Sequence, residues 1–260
     1  MLNIGITMAQ LEYFLLILIR MSALFILSPI FGRRNLPAVF KIGFAVFLTI
    51  IFINTVKVPE INFMANIYTY FLYILKELMV GLVIGYVTYV IMSALYLAGQ
   101  MIDMQVGFGM VNVIDPMTNI QVPLTSNFYY MYTILIFLSL DGHFMIIRAL
   151  FESFKVIPVE KLSVNTSVVL EITSIMRDMF SIGFRIAAPI IAAIFVTDVV
   201  LGVLSRTMPE MNVFMLGMPI KIVIGLLVIA VTFMVGVGIT EGITTIMQKH
   251  IINFFDAFLT

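Results

Sequence analysis

His143 and His250 are the chain's two imidazoles, and cysteine is absent, so the side chains that most often bind transition metals or act as nucleophiles are nearly missing. The two histidines stand far apart without HExxH spacing, and neither a metal nor a cofactor is expected from them. Gly107-Phe108-Gly109 is a lone GxG without the third glycine of a dinucleotide loop, and no phosphate-binding GxxxxGK motif occurs. No nucleophile stands beside a base in a recognisable pattern, so no catalytic residue is assigned and the chain reads as a non-enzyme. The chemistry that remains is charge inside apolar sequence: Glu12, Arg20, Lys76, Glu77, Arg185 and Asp198. Ionisable groups at membrane depth pair with one another or relay protons. Glu12 and Arg20 fall about 80° apart around a helix, so they cannot pair directly within it. Arg185 and Asp198 would lie roughly 20 Å apart along one axis, and the adjacent Lys76 and Glu77 should face different ways. Without a ladder of carboxylates, ion pairs to other helices or subunits are the expected reading and a proton path the alternative.

Those charges must be carried by membrane elements. The 260 residues are 62% hydrophobic and 11% charged, with mean hydropathy +1.15, whereas soluble domains have about 25% charge. The 14 basic and 14 acidic residues balance and form no basic block, which argues against a nucleic-acid surface. Leu78–Ala98 and Ile222–Thr240 are uncharged runs close to the ~20 residues that cross hydrocarbon. Met8–Phe31, Ile42–Val56, Phe128–Leu140 and Met179–Leu204 are shorter or interrupted by charge or proline, and need cover from something other than lipid. Met8–Phe31 starts uncharged and contains Glu12 and Arg20, so it is read as a retained helix and not as a secretory signal. In a six-span arrangement with the N-terminus outside, Arg33, Arg34, Lys41, Arg206 and Lys221 on the inner side oppose Lys57, Arg148, Lys155, Lys161, Arg177 and Lys249, which leaves orientation undecided. Gly81-x-x-x-Gly85 and Gly238-x-x-x-Gly242 are candidate close helix contacts.

Residues 99–127 form the segment with the most unusual composition. It has no Lys or Arg and carries Met101, Met104, Met110 and Met117 with Phe108, Val111, Val113 and Ile114. Gly107 and Gly109 supply hinges, Pro116 and Pro123 supply stops, and the whole is expected to be a long loop. So apolar a segment should insert into protein or line a cavity. Unbranched Met suits a deformable seal, with Met101, Met104, Phe108, Met110, Val113, Ile114 and Met117 as its surface; a core-filling loop is the other reading. Asp103 and Asp115 should sit at its margins, bonded to backbone amides or a partner. Further on, Pro209 and Pro219 bracket a turn-like connection whose Asn212 and Phe214 are expected to dock on a neighbour, while Arg185 and Lys221 complete the candidate partner contacts.

Ile30-Phe-Gly-Arg-Arg-Asn-Leu-Pro37, the 99–127 segment, and above all Arg206-Thr-Met-Pro-Glu-Met-Asn-Val-Phe-Met-Leu-Gly-Met-Pro-Ile-Lys221 resemble the family of the flagellar biosynthetic protein FliR, over essentially the whole chain. The resemblance implies an all-α integral membrane protein of stacked helical hairpins, with about six apolar helical segments. It implies a subunit of a hetero-oligomeric type III export gate, assembled with FliP, FliQ, FlhB and FlhA in the bacterial inner membrane at the flagellar basal body. Unfolded flagellar subunits would be the passengers. Within one export-gate domain, 1–260, residues from about 1 to 175 would be FliP-like and from about 176 to 260 a FliQ-like helix pair. Family members place a plug loop across the pore, and the matching positions are Val106 to Val122. The rival reading is a small-solute secondary transporter, which should show paired broken helices; Pro189 has no matching partner in the other half.

Overall fold

A computed structural model of the chain describes residues 8–32, 36–53, 67–108, 123–159, 167–208, 210 and 212–259. Every regular element among them is an α-helix: α1 (Met8–Leu27), α2 (Ala38–Ile53), α3 (Ile67–Val106), α4 (Leu124–Ser139), α5 (Gly142–Val156), α6 (Ser167–Thr207), α7 (Val213–Met234) and α8 (Gly236–Leu259). In hydrocarbon each backbone N–H and C=O must be satisfied within the segment, which is why such apolar runs take this form. Gln10–Leu27, α3, α6 and Met215–Met234 are long and apolar enough to cross a bilayer, and α4 with α5 adds a fifth span if the two count as one. The protein is therefore an all-helical integral membrane protein, and its four or five candidate spans together with the shorter apolar helix α2 agree with the expectation of about six apolar segments. The 16 residues of α2 rise only about 24 Å, short of the ~30 Å of hydrocarbon. By contrast α3 and α6, with 40 and 41 residues, are about 60 Å long, so roughly half of each exceeds what hydrocarbon can cover.

Two boundaries differ from the sequence reading. Residues 99–106 continue α3 and 124–127 begin α4, so the connection is shorter than the expected loop. Ala98, Ile102 and Val106 are buried at helical spacing and carry the packed stripe onward, which outweighs the local wealth of Gly and Met. Termination comes at Gly107, whose φ of 98° is the left-handed conformation open to glycine, with its N–H donating to the Asp103 carbonyl at 3.1 Å. Likewise Pro219 does not bracket a turn. It lies inside α7, which starts earlier because the Asn212 side chain accepts the Met215 N–H and caps the helix at Val213.

The chain divides into two compact units: Met1–Val90, Asp141–Ile175 and Ile246–Thr260 form the first, and Ile91–Leu140 and Met176–Thr245 the second. In the first, α1 buries Tyr13, Leu16, Ile17, Met21 and Leu24, with Arg20 in the middle of that stripe at 0% exposure. Gly81 and Gly85 of α3 lie directly on α1: a Cβ at Gly81 would stand 2.3 Å from the Arg20 carbonyl oxygen, and one at Gly85 3.0 Å from that of Leu24. Phe52 of α2 stacks on Phe151 and Phe154 of α5, with centroids 5.2 and 4.3 Å away. In the second unit Gly183 of α6 meets Ala94 and Leu97 of α3, while Gly225 of α7 meets Val106. Gly238 and Gly242 face open space, so the second small-residue motif makes no such contact among the described residues.

Candidate functional site

In the first unit Arg20, Lys76 and Glu77 meet around the C-terminal end of α5. Arg20 Nε and Nη2 donate to the two Glu77 carboxylate oxygens at 2.5 and 2.9 Å, the forked geometry that makes guanidinium–carboxylate pairs strong. Nη1 donates to Ser153 Oγ at 3.1 Å, Nη2 also reaches the Ile157 carbonyl at 2.9 Å, and the guanidinium carbon lies 4.0 Å from the Phe154 ring centroid. Lys76 donates to the carbonyls of Pro158 and Val159 and stands 3.5 Å from Glu77. Lys76 and Glu77 thus share one network, contrary to the expectation that neighbours face apart, because the long Lys stem bends back toward the carbonyls leaving α5. Two cations delivered from α1 and α3 satisfy carbonyls that the end of a helix leaves without partners. Elsewhere in this unit His250 Nδ1 lies 2.6 Å from Glu171 Oε1, which also accepts from Asn253 at 3.2 Å. His143 contacts Phe144, with ring centroids 4.2 Å apart.

In the second unit the charges have other roles. Asp103, 7% exposed, accepts the Thr125 backbone N–H on both carboxylate oxygens at 3.2 and 3.3 Å. Asp198 of α6 pairs with Lys221 of α7, so Asp198 finds its counter-ion on the next helix. Tyr129 and Thr232 hydroxyls are 2.7 Å apart, and the Tyr132 hydroxyl donates to the Phe233 carbonyl at 2.7 Å, tying α4 to α7.

Of the candidate seal residues, Met101 is half-buried and Met104 is 78% exposed, both on the last turns of α3. Phe108 is half-buried just beyond Gly107, and Pro123 occupies the N-cap position of α4. Gly109, Met110, Val113, Ile114, Pro116 and Met117 lie outside the described residues, as does Pro209. Asn212 is exposed and serves as the cap of α7; Phe214 is in α7, its side chain outside the described set. Sequence reasoning did not join Arg20 to Glu77, although two signals were present. Arg20 shares a face with Leu16, Ile17 and Leu24, and Glu77 stands one turn before Gly81 on the face that meets α1.

Arg185 is exposed on α6 between Phe184, 59% exposed, and Pro189, with no hydrogen bond or ion pair to it among the described residues. A guanidinium so placed is costly against hydrocarbon and favours an anionic partner. Arg185→Leu is therefore expected to leave thermal unfolding of the isolated chain within about 0.5 kcal/mol of wild type while lowering the yield of assembled complex. Snorkelling to a headgroup would leave both yield and motility unchanged.

The sequence profile of the family described as Bacterial export proteins, family 1, matches residues 11–247. Among characterised proteins, the flagellar biosynthetic protein FliR of Bacillus subtilis is 39% identical over 222 residues, covering 84% of this chain and 85% of that protein. FliR of Aquifex aeolicus is 32% identical over 235 residues, with 88% and 86% covered, and FliR of Escherichia coli is 25% identical over 215 residues, with 82% and 81% covered. The matched stretch runs from within α1 into α8 and crosses both compact units, and with it the chain belongs to bacterial export protein family 1.

Proposed function

We propose that this protein is a membrane-embedded, non-enzymatic component of the flagellar protein export apparatus, forming part of the channel through which unfolded flagellar subunits leave the cell. The observation that carries this reading is the similarity to FliR proteins along more than four fifths of both chains. The exposed apolar faces of α6 and α7, including Phe195, Val199, Val223 and Leu227, support membership of a larger assembly, because the charges among them, Arg185 and the partly exposed Asp198–Lys221 pair, are unsuited to lipid. FliP, FliQ, FlhB and FlhA are the proposed partners, and the inner membrane at the basal body the proposed location. Pro189 and Pro219 both lie inside continuous helices, which lends no support to a solute transporter built on broken ones.

Within this reading residues 106–122 form the resting seal. Their lack of Lys and Arg and their Met and β-branched content suit a soft, dry barrier that blocks ions by dewetting yet yields to a polypeptide. Energy for transport would come from another subunit or the membrane potential. The test is deletion of residues 110–119 in cells carrying the complete gate. Assembly should survive, measured by co-purification with FliP and FliQ, and membrane conductance to small ions should rise several-fold. Conductance at the wild-type level with assembly intact would remove the seal. Recovery of the wild-type chain as a stable solitary transporter, with motility unaffected by its deletion, would remove the export reading itself.

A further inference from the structure

We propose that Asp103 is a positioning residue that ties the end of α3 to the start of α4, so that both anchorages of the 107–123 connection behave as one rigid rim. The inference rests on the reading of that connection as the seal. Its structural basis lies wholly within described residues of the second unit.

Asp103 acts on both helix ends at once. Its carbonyl accepts the Gly107 N–H at 3.1 Å and closes α3, while its carboxylate accepts the Thr125 N–H at 3.2 and 3.3 Å in the first turn of α4. The N-cap position of α4 is held by Pro123, which makes no side-chain capping bond, so the Thr125 N–H of its first turn is served from α3. A carboxylate at a helix N-terminus is also favoured by the helix dipole, which helps a charge at 7% exposure to remain there.

The contact continues one and two turns away. Ser126 Oγ donates to the Tyr96 carbonyl at 2.9 Å, and Ser126 backbone atoms lie so close to Gly99 that a Cβ there would stand 2.3 Å from them. The Tyr96 and Tyr130 rings are 4.8 Å apart. A helix that needed only a cap would be served by Ser or Asp at position 123. Placing the cap on the preceding helix makes the start of α4 depend on the end of α3, since neither can shift away from the other without losing the Asp103–Thr125 bond.

The experiment compares Asp103→Ala, Asp103→Asn, Asp103→Ala with Pro123→Asp, and the 110–119 deletion, all in the complete gate, reading ion conductance and thermal stability of the purified complex. Asp103→Ala should raise conductance about twofold, the low end of losing one cap interaction and below the rise from the deletion because the seal is loosened and not removed, and Asp103→Asn, which keeps an acceptor oxygen, should raise it less. Adding Pro123→Asp restores a local cap for the Thr125 or Ser126 N–H, so stability should return while the leak persists. If Pro123→Asp also abolishes the leak, Asp103 is a helix cap and the coupling is refuted. If the deletion leaks and Asp103→Ala does not, the coupling is likewise refuted while the seal stands. If neither leaks, the seal reading fails and this inference fails with it.

Discussion

Glu77→Ala is expected to abolish recovery of a folded, assembly-competent chain. The substitution removes the only carboxylate that the described contacts place on Arg20, and it leaves a guanidinium at 0% exposure among Leu16, Ile17 and Leu24. Breaking a buried pair from one side costs about 3–5 kcal/mol, a large fraction of the 5–15 kcal/mol that typically separates folded from unfolded states. The contacts to Ser153 and Ile157 remain, but both acceptors are neutral and cannot replace the lost charge. Glu77→Gln should be milder, because the amide keeps one acceptor oxygen. Arg20→Met with Glu77→Met should recover much of the loss, since an apolar pair strands no charge. Thermal unfolding in detergent and swarming motility measure both. A Glu77→Ala chain that melts with the wild type would show that the pair contributes nothing.

Gly81→Ala is the second change with a large expected effect, and it concerns space and not charge. A Cβ at this position would lie 2.3 Å from the Arg20 carbonyl oxygen and 2.7 Å from the Ala23 Cβ, and real side chains do not tolerate such approaches. Neither obstacle is the tip of a flexible side chain, so α1 must move away from α3 as a body. Overpacking of this kind costs typically 1–3 kcal/mol, and here the displaced backbone also carries Arg20, so the Glu77 contacts lengthen with it. Gly238→Ala and Gly242→Ala, where a Cβ meets nothing within 4 Å, should leave folding unchanged or slightly improved through the better helix propensity of Ala. Complex yield and melting temperature across the three variants check the contrast. Equal behaviour of Gly81→Ala and Gly238→Ala would mean that α1 and α3 do not cross at Gly81.

The class of the molecule was legible in the chain because it depends on local quantities. Runs such as Leu78–Ala98 exceed what a soluble core needs, and hydrocarbon admits such runs only as helices. Family membership was legible too, since Arg206–Lys221 mixes polar and apolar residues in an order that hydrophobic composition alone does not produce. Helix limits were less legible: Gly107, read as a loop hinge, ends α3 through its positive φ well beyond the expected limit at Ala98. Where a distant group decides, the chain was ambiguous. The start of α4 at Leu124 has no cap of its own and relies on Asp103, while α3 continues past Ala98 because Ile102 and Val106 find packing partners.

Tertiary structure alone decided who meets whom. Arg20 and Glu77 are 57 residues apart, and Lys221 pairs with Asp198 across a helix connection. No spacing rule links such residues, because the periodicity of a helix tells which residues share a face and nothing about which helix that face will meet. The two glycine motifs make the same point: Gly81-x-x-x-Gly85 and Gly238-x-x-x-Gly242 have identical spacing, yet the first is pressed against α1 and the second faces open space. A missing Cβ permits close approach from any direction, and only the path of the whole chain determines whether another helix is there to use it.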